Sequence, residues 1–290
     1  MQYLPDPREN LVAERFDAWL SDMFAAAPSV LSSELLAAVE SYDSPGNRKR
    51  SLSPEQWIRY FRGVMRGEEW IVRYLGANRV DLFVELGCGV GTWCFLAALA
   101  GARRVLGIDL CEDRLAAARV LARERFASCS DARIDFVYDN LFRIAYDRPV
   151  DIFYLKSTIH HILPIPALFD YLERNLSPGG IVVIHDTNGL HPISQITALR
   201  MRGLNRRVKG TDAQTGEPTE YAMEDYFTLP GIRYRLRRHG FRIIYQQAYL
   251  GGRSSSSDRM WQGVIEPLNR STLLGAFLAP SYQIVAQKPA

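Results

Sequence analysis

Apolar and polar positions follow two rhythms along the chain, and the change falls near residue 80. Before it, apolar residues recur at helical spacing over 8–26, 32–42 and 54–75, and no stretch has the pattern of a strand. Ser53 as N-cap and Pro54 at the first helical position open the third helix. A polar, basic linker, SYDSPGNRKRS, precedes it. From Val80 onward, short apolar runs alternate with helical stretches. VDLFVEL, RRVLGIDL, RIDFVYD, VDIFYLK and GGIVVIHD predict five strands. Segments 92–100, 112–126 and 167–175 predict helices. Near-continuous apolar strands separated by helices predict a parallel sheet covered on both faces.

After Asp186 the alternation stops. Residues 190–209 read as one basic helix. A loop, TDAQTGEPTEYAMEDYF, follows and carries five acids. Next come a helix over 229–239, a strand over 241–250, an insertion opening with GGRSSSSD, and a closing strand, SYQIVAQK. Two final strands without a crossover helix between them predict an antiparallel edge. The domain reading is a helical N-terminal cap over 1–79 and an α/β core over 80–290. Insertions interrupt the core at about 190–228 and 251–280.

The first strand runs into VELGCGVGTW. Gly87, Gly89 and Gly91 are spaced G-x-G-x-G, and Thr92 stands where a dinucleotide fingerprint wants its third glycine. Glycines there allow a tight turn and close approach of a ligand to backbone. Glu85, two residues earlier, would repel a pyrophosphate and suits a cation such as the ammonium of an amino-acid-like ligand. Asp109 ends the second strand 22 residues after Gly87, where an acid accepts ribose hydroxyls. A helix cap is its alternative role. Asp139 and Asn140 end the third strand, where a carboxylate and an amide could read an adenine edge; a plain turn is their alternative. An ammonium, a ribose and an adenine without phosphate describe S-adenosylmethionine (SAM).

VELGCGVG, VLGIDL, FVYDN, VDIFYLKSTIHHI, LSPGGIVVIHD and LRRHGFRI together resemble class I SAM-dependent methyltransferases over about 80–250, with the last strand at 281–288. The resemblance implies a doubly wound, seven-stranded, mostly parallel sheet of Rossmann-like methyltransferase type, whose seventh strand lies antiparallel beside the fifth. It implies SAM as cofactor. Gly87, Gly89, Gly91 and their backbone would hold the methionine part, with Glu85 behind them. Asp109 and Leu110 would embrace ribose and adenine, and Asp139 and Asn140 would flank the adenine. The backbone at Lys156 would face the methionine amine; the lysine side chain departs from the family pattern.

Four of the five histidines (His160, His161, His185, His191) follow the carboxyl ends of the fourth and fifth strands, which form the ligand crevice of open α/β sheets. Methyl transfer needs alignment of acceptor, carbon and leaving sulfur, and an oxygen or nitrogen acceptor must also lose a proton. His160 is the leading candidate base. His161 is a second candidate and also fits a packing role. Asp186 could orient a histidine or bind the acceptor. Asp186 and Asn188 in DTN resemble half of a catechol-type magnesium site, but its first ligand would fall near Lys156, which cannot serve. A transition metal on His160, His161, Asp186 and His191 fits no standard spacing, so no metal is expected.

Apolar content of 47%, charge of 23% and a net charge of +3 suit a soluble globular protein and give no general case for nucleic-acid binding. Nor does a run of about 18 apolar residues occur, so a membrane span is not expected. Cys88, Cys94, Cys111 and Cys129 form no CxxC pair and read as reduced thiols of a cytoplasmic protein. The function expected is methyl transfer from SAM to oxygen or nitrogen of a small molecule, such as a natural-product intermediate. A homodimer stays open. The alternatives are an NAD(P)-dependent oxidoreductase and a SAM-binding protein of this fold that is silent or does not methylate.

Overall fold

The computed structural model describes Ala18, residues 68–127, 130–212, 214–249, Phe277 and 279–290. Apart from Ala18, the helices expected over 8–26 and 32–42, the part of the helix expected over 54–75 that precedes residue 68, with its Ser53 cap, and most of the insertion at 251–280 lie outside the described residues. One seven-stranded sheet has the strand order Arg133–Tyr138, Arg104–Asp109, Leu82–Leu86, Val150–Lys156, Leu176–Thr187, Ser281–Gln287, Arg242–Tyr249. The chain divides into two compact units between Leu141 and Phe142.

In the first unit, α1 (Glu69–Ala77) precedes β1 (Leu82–Leu86), α2 (Thr92–Leu99), β2 (Arg104–Asp109), α3 (Glu112–Leu121) and β3 (Arg133–Tyr138). Strands β1, β2 and β3 pair in parallel. All five residues of β1 are buried, as an interior strand with both faces covered requires. Helix α2 starts at Gly91, whose φ of 79° turns the chain sharply out of the loop, and it buries every residue from Cys94 to Leu99. Phe95 packs on Phe126 and Phe136 at 4.9 and 5.9 Å between ring centroids. Burial of such a ring stabilises by about 1.5–3 kcal/mol. The helix expected over 112–126 is α-helical to Leu121 and continues as a π-turn from Ala122 to Phe126.

In the second unit, β4 (Val150–Lys156) is followed by a 3-10 turn (Ile159–His161), α4 (Ile165–Asn175), β5 (Leu176–Thr187) and α5 (Pro192–Arg202). Then come β6 (Arg207–Thr211), β7 (Pro218–Ala222), α6 (Leu229–Arg238), β8 (Arg242–Tyr249) and β9 (Ser281–Gln287). Helix α4 buries Ile165, Leu168, Phe169 and Leu172, spaced to form one helical face. Strand β5 pairs in parallel with β4 and antiparallel with β9, and β9 pairs antiparallel with β8. The antiparallel edge is therefore as expected.

The basic helix expected over 190–209 is shorter. It stops at Arg202, and Gly203 follows with a φ of 63° that favours glycine. Residues beyond it form an antiparallel hairpin, β6 on β7. Exposed charges hold that hairpin's edges: Arg206 pairs with Asp225 and Arg207 with Glu220, each at 3.4 Å.

Candidate cofactor loop and histidine–carboxylate cluster

The cofactor candidates of the first unit converge at the ends of β1 and β2. Gly87, Gly89 and Gly91 all have left-handed φ values, 73°, 53° and 79°. Gly87 and Cys88 both donate their amides to the carbonyl of Ile108 on β2, at 2.7 and 3.1 Å. Asp109 accepts from the amide of Gly89 on Oδ2 at 2.7 Å and from the amide of Cys111 on Oδ1 at 2.9 Å. It thus ties the glycine loop to the start of α3. A carboxylate has about four acceptor positions, and these two bonds leave one lone pair on each oxygen for ligand hydroxyls. Leu110 beside it is 45% exposed, an apolar surface at the mouth of the loop. A Cβ built on Gly89 would meet only Arg114, at 3.9 Å, so this side of the loop is open. On Gly91 it would meet the Phe136 ring at 2.6 Å, so that glycine is needed for packing as well as for φ.

Glu85 is buried, and the Cys94 thiol donates to its Oε2 at 3.1 Å. Burial, with the Cys88 contact and the Glu85 charge adding to it, holds the Cys94 thiol well above the ordinary cysteine range. Cys88, Cys94 and Cys111 are free thiols; Cys129 lies outside the described residues. Asp139 accepts from the amide of Asn140 at 2.6 Å, closing the turn after β3.

In the second unit, the 3-10 turn after β4 brings His160 against the end of β5. His160 Nδ1 lies 2.6 and 2.9 Å from the two oxygens of Asp186, and both residues are buried. A carboxylate only accepts, so Nδ1 carries a proton, and in the neutral ring Nε2 presents its lone pair. His161 Nδ1 lies 3.3 Å from the carbonyl of Ala222, which fixes the same tautomer there. Burial, and then the neighbouring His160, push the His161 imidazole below its ordinary range and favour its neutral form.

Glu224, unremarked in the sequence, completes the cluster. Its carboxylate lies 3.8 Å from Nε2 of both His160 and His161. The Tyr226 hydroxyl donates to its Oε2. Burial first, and then Glu224, push the Tyr226 phenol above its ordinary range, so it stays a donor. Glu224 has a φ of 48°, rare for a residue with a side chain. The approach of this loop depends on Gly189, where a Cβ would sit 2.4 Å from the carbonyl oxygen of Tyr226.

Other candidates from the sequence stand apart from the cluster. His191 caps α5, accepting from the amide of Ser194 at 3.2 Å. His185 stacks on Tyr249 at 5.2 Å. Asn188 donates to the carbonyl of Ala279 and accepts from the amide of Leu190, so its side chain serves the backbone. Lys156 offers its carbonyl to the Thr158 hydroxyl at 2.9 Å.

A mostly parallel seven-stranded sheet with an antiparallel strand inserted next to its edge, carrying a glycine loop and an acid at the ends of its first two strands, is the fold of the class I methyltransferases. Residues 83–180 match a family model described as a methyltransferase domain. It is similar to phosphoethanolamine N-methyltransferase 1 of Zea mays, 34% identical over 104 residues, which are 36% of this chain and 20% of that protein. The corresponding enzyme of Arabidopsis thaliana is 36% identical over 104 residues, with the same shares covered. The match thus spans about a fifth of the length of these curated relatives. Magnesium protoporphyrin IX methyltransferase from Synechocystis PCC 6803, solved with bound SAH, has the same fold. Its TM-score is 0.52 at 17% identity, over 89% of this chain and 95% of that one.

Proposed function

We propose that the protein transfers a methyl group from SAM to an oxygen or nitrogen of a small-molecule acceptor. The observation that carries this reading is the tie between Asp109 and Gly89, within a segment that matches the methyltransferase domain. The left-handed glycines expose loop backbone to a ligand. Asp109 keeps free acceptor positions for a ribose, Leu110 offers an apolar face to an adenine, and Asp139 with Asn140 flank it. Buried Glu85 supplies negative charge behind the loop for the ammonium end. When bound, SAM supplies a methyl carbon made electrophilic by positive sulfur.

The acceptor side is the work of His160. Asp186 holds Nδ1, so Nε2 takes the proton that the acceptor loses, and the carboxylate favours the resulting imidazolium. His161 borders the same point. The relatives named above act, by their names, on small molecules, which fits an acceptor of that class.

Calorimetry with SAM and with NAD(H) tests the cofactor. Binding of SAM alone, weakened at least about tenfold by Asp109→Ala, is the expected result; preference for NAD(H) would overturn the reading. Labelled SAM with a panel of small hydroxyl and amine acceptors then identifies the acceptor.

A further inference from the structure

Three electron-pair donors meet at one point in the second unit: Nε2 of His160, Nε2 of His161 and the Glu224 carboxylate, with ligand atoms all within 4.8 Å of one another. We propose that these three residues form a binding site for a divalent transition metal of the zinc type, with a fourth position open. The inference goes beyond the reading of His160 as a base. With metal bound, Nε2 of His160 is a ligand, and an acceptor at the fourth position would be acidified by the metal.

The donor set and its surroundings carry the inference. Two imidazoles and one carboxylate, with one position open, are a known catalytic zinc set. Metal-binding histidines nearly always give their other ring N–H to a carboxylate or a backbone carbonyl, which orients the ring and fixes the tautomer. Both arrangements are present here: His160 gives Nδ1–H to Asp186, and His161 gives it to Ala222. The third ligand has its own support, since the Tyr226 hydroxyl holds Glu224 Oε2 and leaves Oε1 toward His161. Zinc bonds of about 2.0–2.1 Å in a tetrahedron put ligand atoms about 3.4 Å apart. The 3.8 Å from Glu224 Oε1 to His161 Nε2 is close to that; His160 Nε2 lies 3.8 Å from the other oxygen, Oε2, and the three ligand atoms fall within 4.8 Å of one another, a spread that side-chain rotations can close.

His161 is half exposed, so an ion has a way in, whereas His160 and Glu224 are mostly covered. Imidazole nitrogens select zinc-like ions over magnesium or calcium, which prefer oxygen. The side chains of the catechol-type magnesium pattern do not assemble: Asn188 is occupied by backbone contacts.

The test is titration of the full chain, stripped with a chelator, with zinc chloride by calorimetry and with cobalt chloride by visible absorption. Neither SAM nor an acceptor is added, so a failure of the methyltransferase reading leaves this result intact. The expected result is one ion per chain, with the absorption of four-coordinate cobalt. Affinity should fall more than about 100-fold in Glu224→Gln and in His161→Ala, and about 10–100-fold in Asp186→Asn, which leaves all three ligands in place. Lys209→Ala, on the exposed hairpin, should bind as the wild type does. Circular dichroism of each variant checks folding; His161→Ala, at a half-exposed position, keeps the test decisive if Glu224→Gln folds poorly. Failure of the wild type to bind one ion, or equal binding by well-folded Glu224→Gln, His161→Ala and wild type, would overturn the proposal.

Discussion

Gly91 shows how one residue serves both core and loop. Its φ of 79° suits glycine, and a Cβ there would meet the Phe136 ring at 2.6 Å. Phe136 packs edge-on against Phe95, so it has little room to move. Gly91→Ala therefore combines a strained backbone with overpacking and should destabilise the fold by about 1–3 kcal/mol. Urea unfolding of the variant and wild type measures it; equal midpoints would show that the ring yields freely. Gly189 is a comparable position in the second unit. There the obstacle is the carbonyl of Tyr226 rather than a side chain. Gly189→Ala should displace the loop that carries Glu224, and it should lower zinc affinity in the titration above without touching a ligand.

Among the elements, the β6–β7 hairpin depends most on charge. Asp212 accepts from the amides of Gln214 and Thr215 at 2.9 and 3.0 Å, and it pairs with Arg143 at 3.1 Å. The Thr215 amide first, then Arg143, lower its carboxyl to about 2. A depressed acid stabilises the folded state above its unfolded pKa, and that stability is lost as pH falls through the folded value. Asp212→Asn should accordingly speed amide exchange in β6 and β7 at pH 7. The difference from wild type should shrink as pH falls from about 4 toward 2. A difference that persists unchanged in acid would mean the carboxylate charge is not the cause. This hairpin was also the element least legible in the chain. Basic and apolar residues continue past Arg202 at a spacing that suits a helix, and the left-handed turn at Gly203 breaks it. The glycine loop and Asp109, by contrast, are legible because each stands at the end of one of two consecutive, parallel-paired strands, so the strand pattern alone brings them together. His160 and Asp186 are each recognisable, but their contact joins residues 26 apart. Glu224 is hidden for the same reason. Its neighbours Glu220 and Asp225 pair with arginines at the surface, and nothing local distinguishes the one acid of that loop turned toward the histidines.

At the scale of the whole molecule, the proposed function gives SAM binding to the glycine loop and Asp109 and acceptor activation to His160, and that proposal has a thermal signature. A ligand that binds only the folded state stabilises it by about 2.7 kcal/mol at a hundred times its dissociation constant. For a chain of 290 residues that corresponds to a rise in Tm of about 4 °C. SAM should produce such a rise in the wild type and in His160→Ala, because the glycine loop and Asp109 are intact in both. It should produce little in Asp109→Ala, where the carboxylate that holds Gly89 and offers acceptor positions is gone. Methyl transfer to the acceptor should be lost in both variants, through binding in one and through activation in the other. Scanning calorimetry with and without SAM, paired with transfer of labelled methyl, separates the two losses. If His160→Ala also lost the thermal shift, the histidine cluster would be part of cofactor binding, and the proposed separation of roles between Asp109 and His160 would fail.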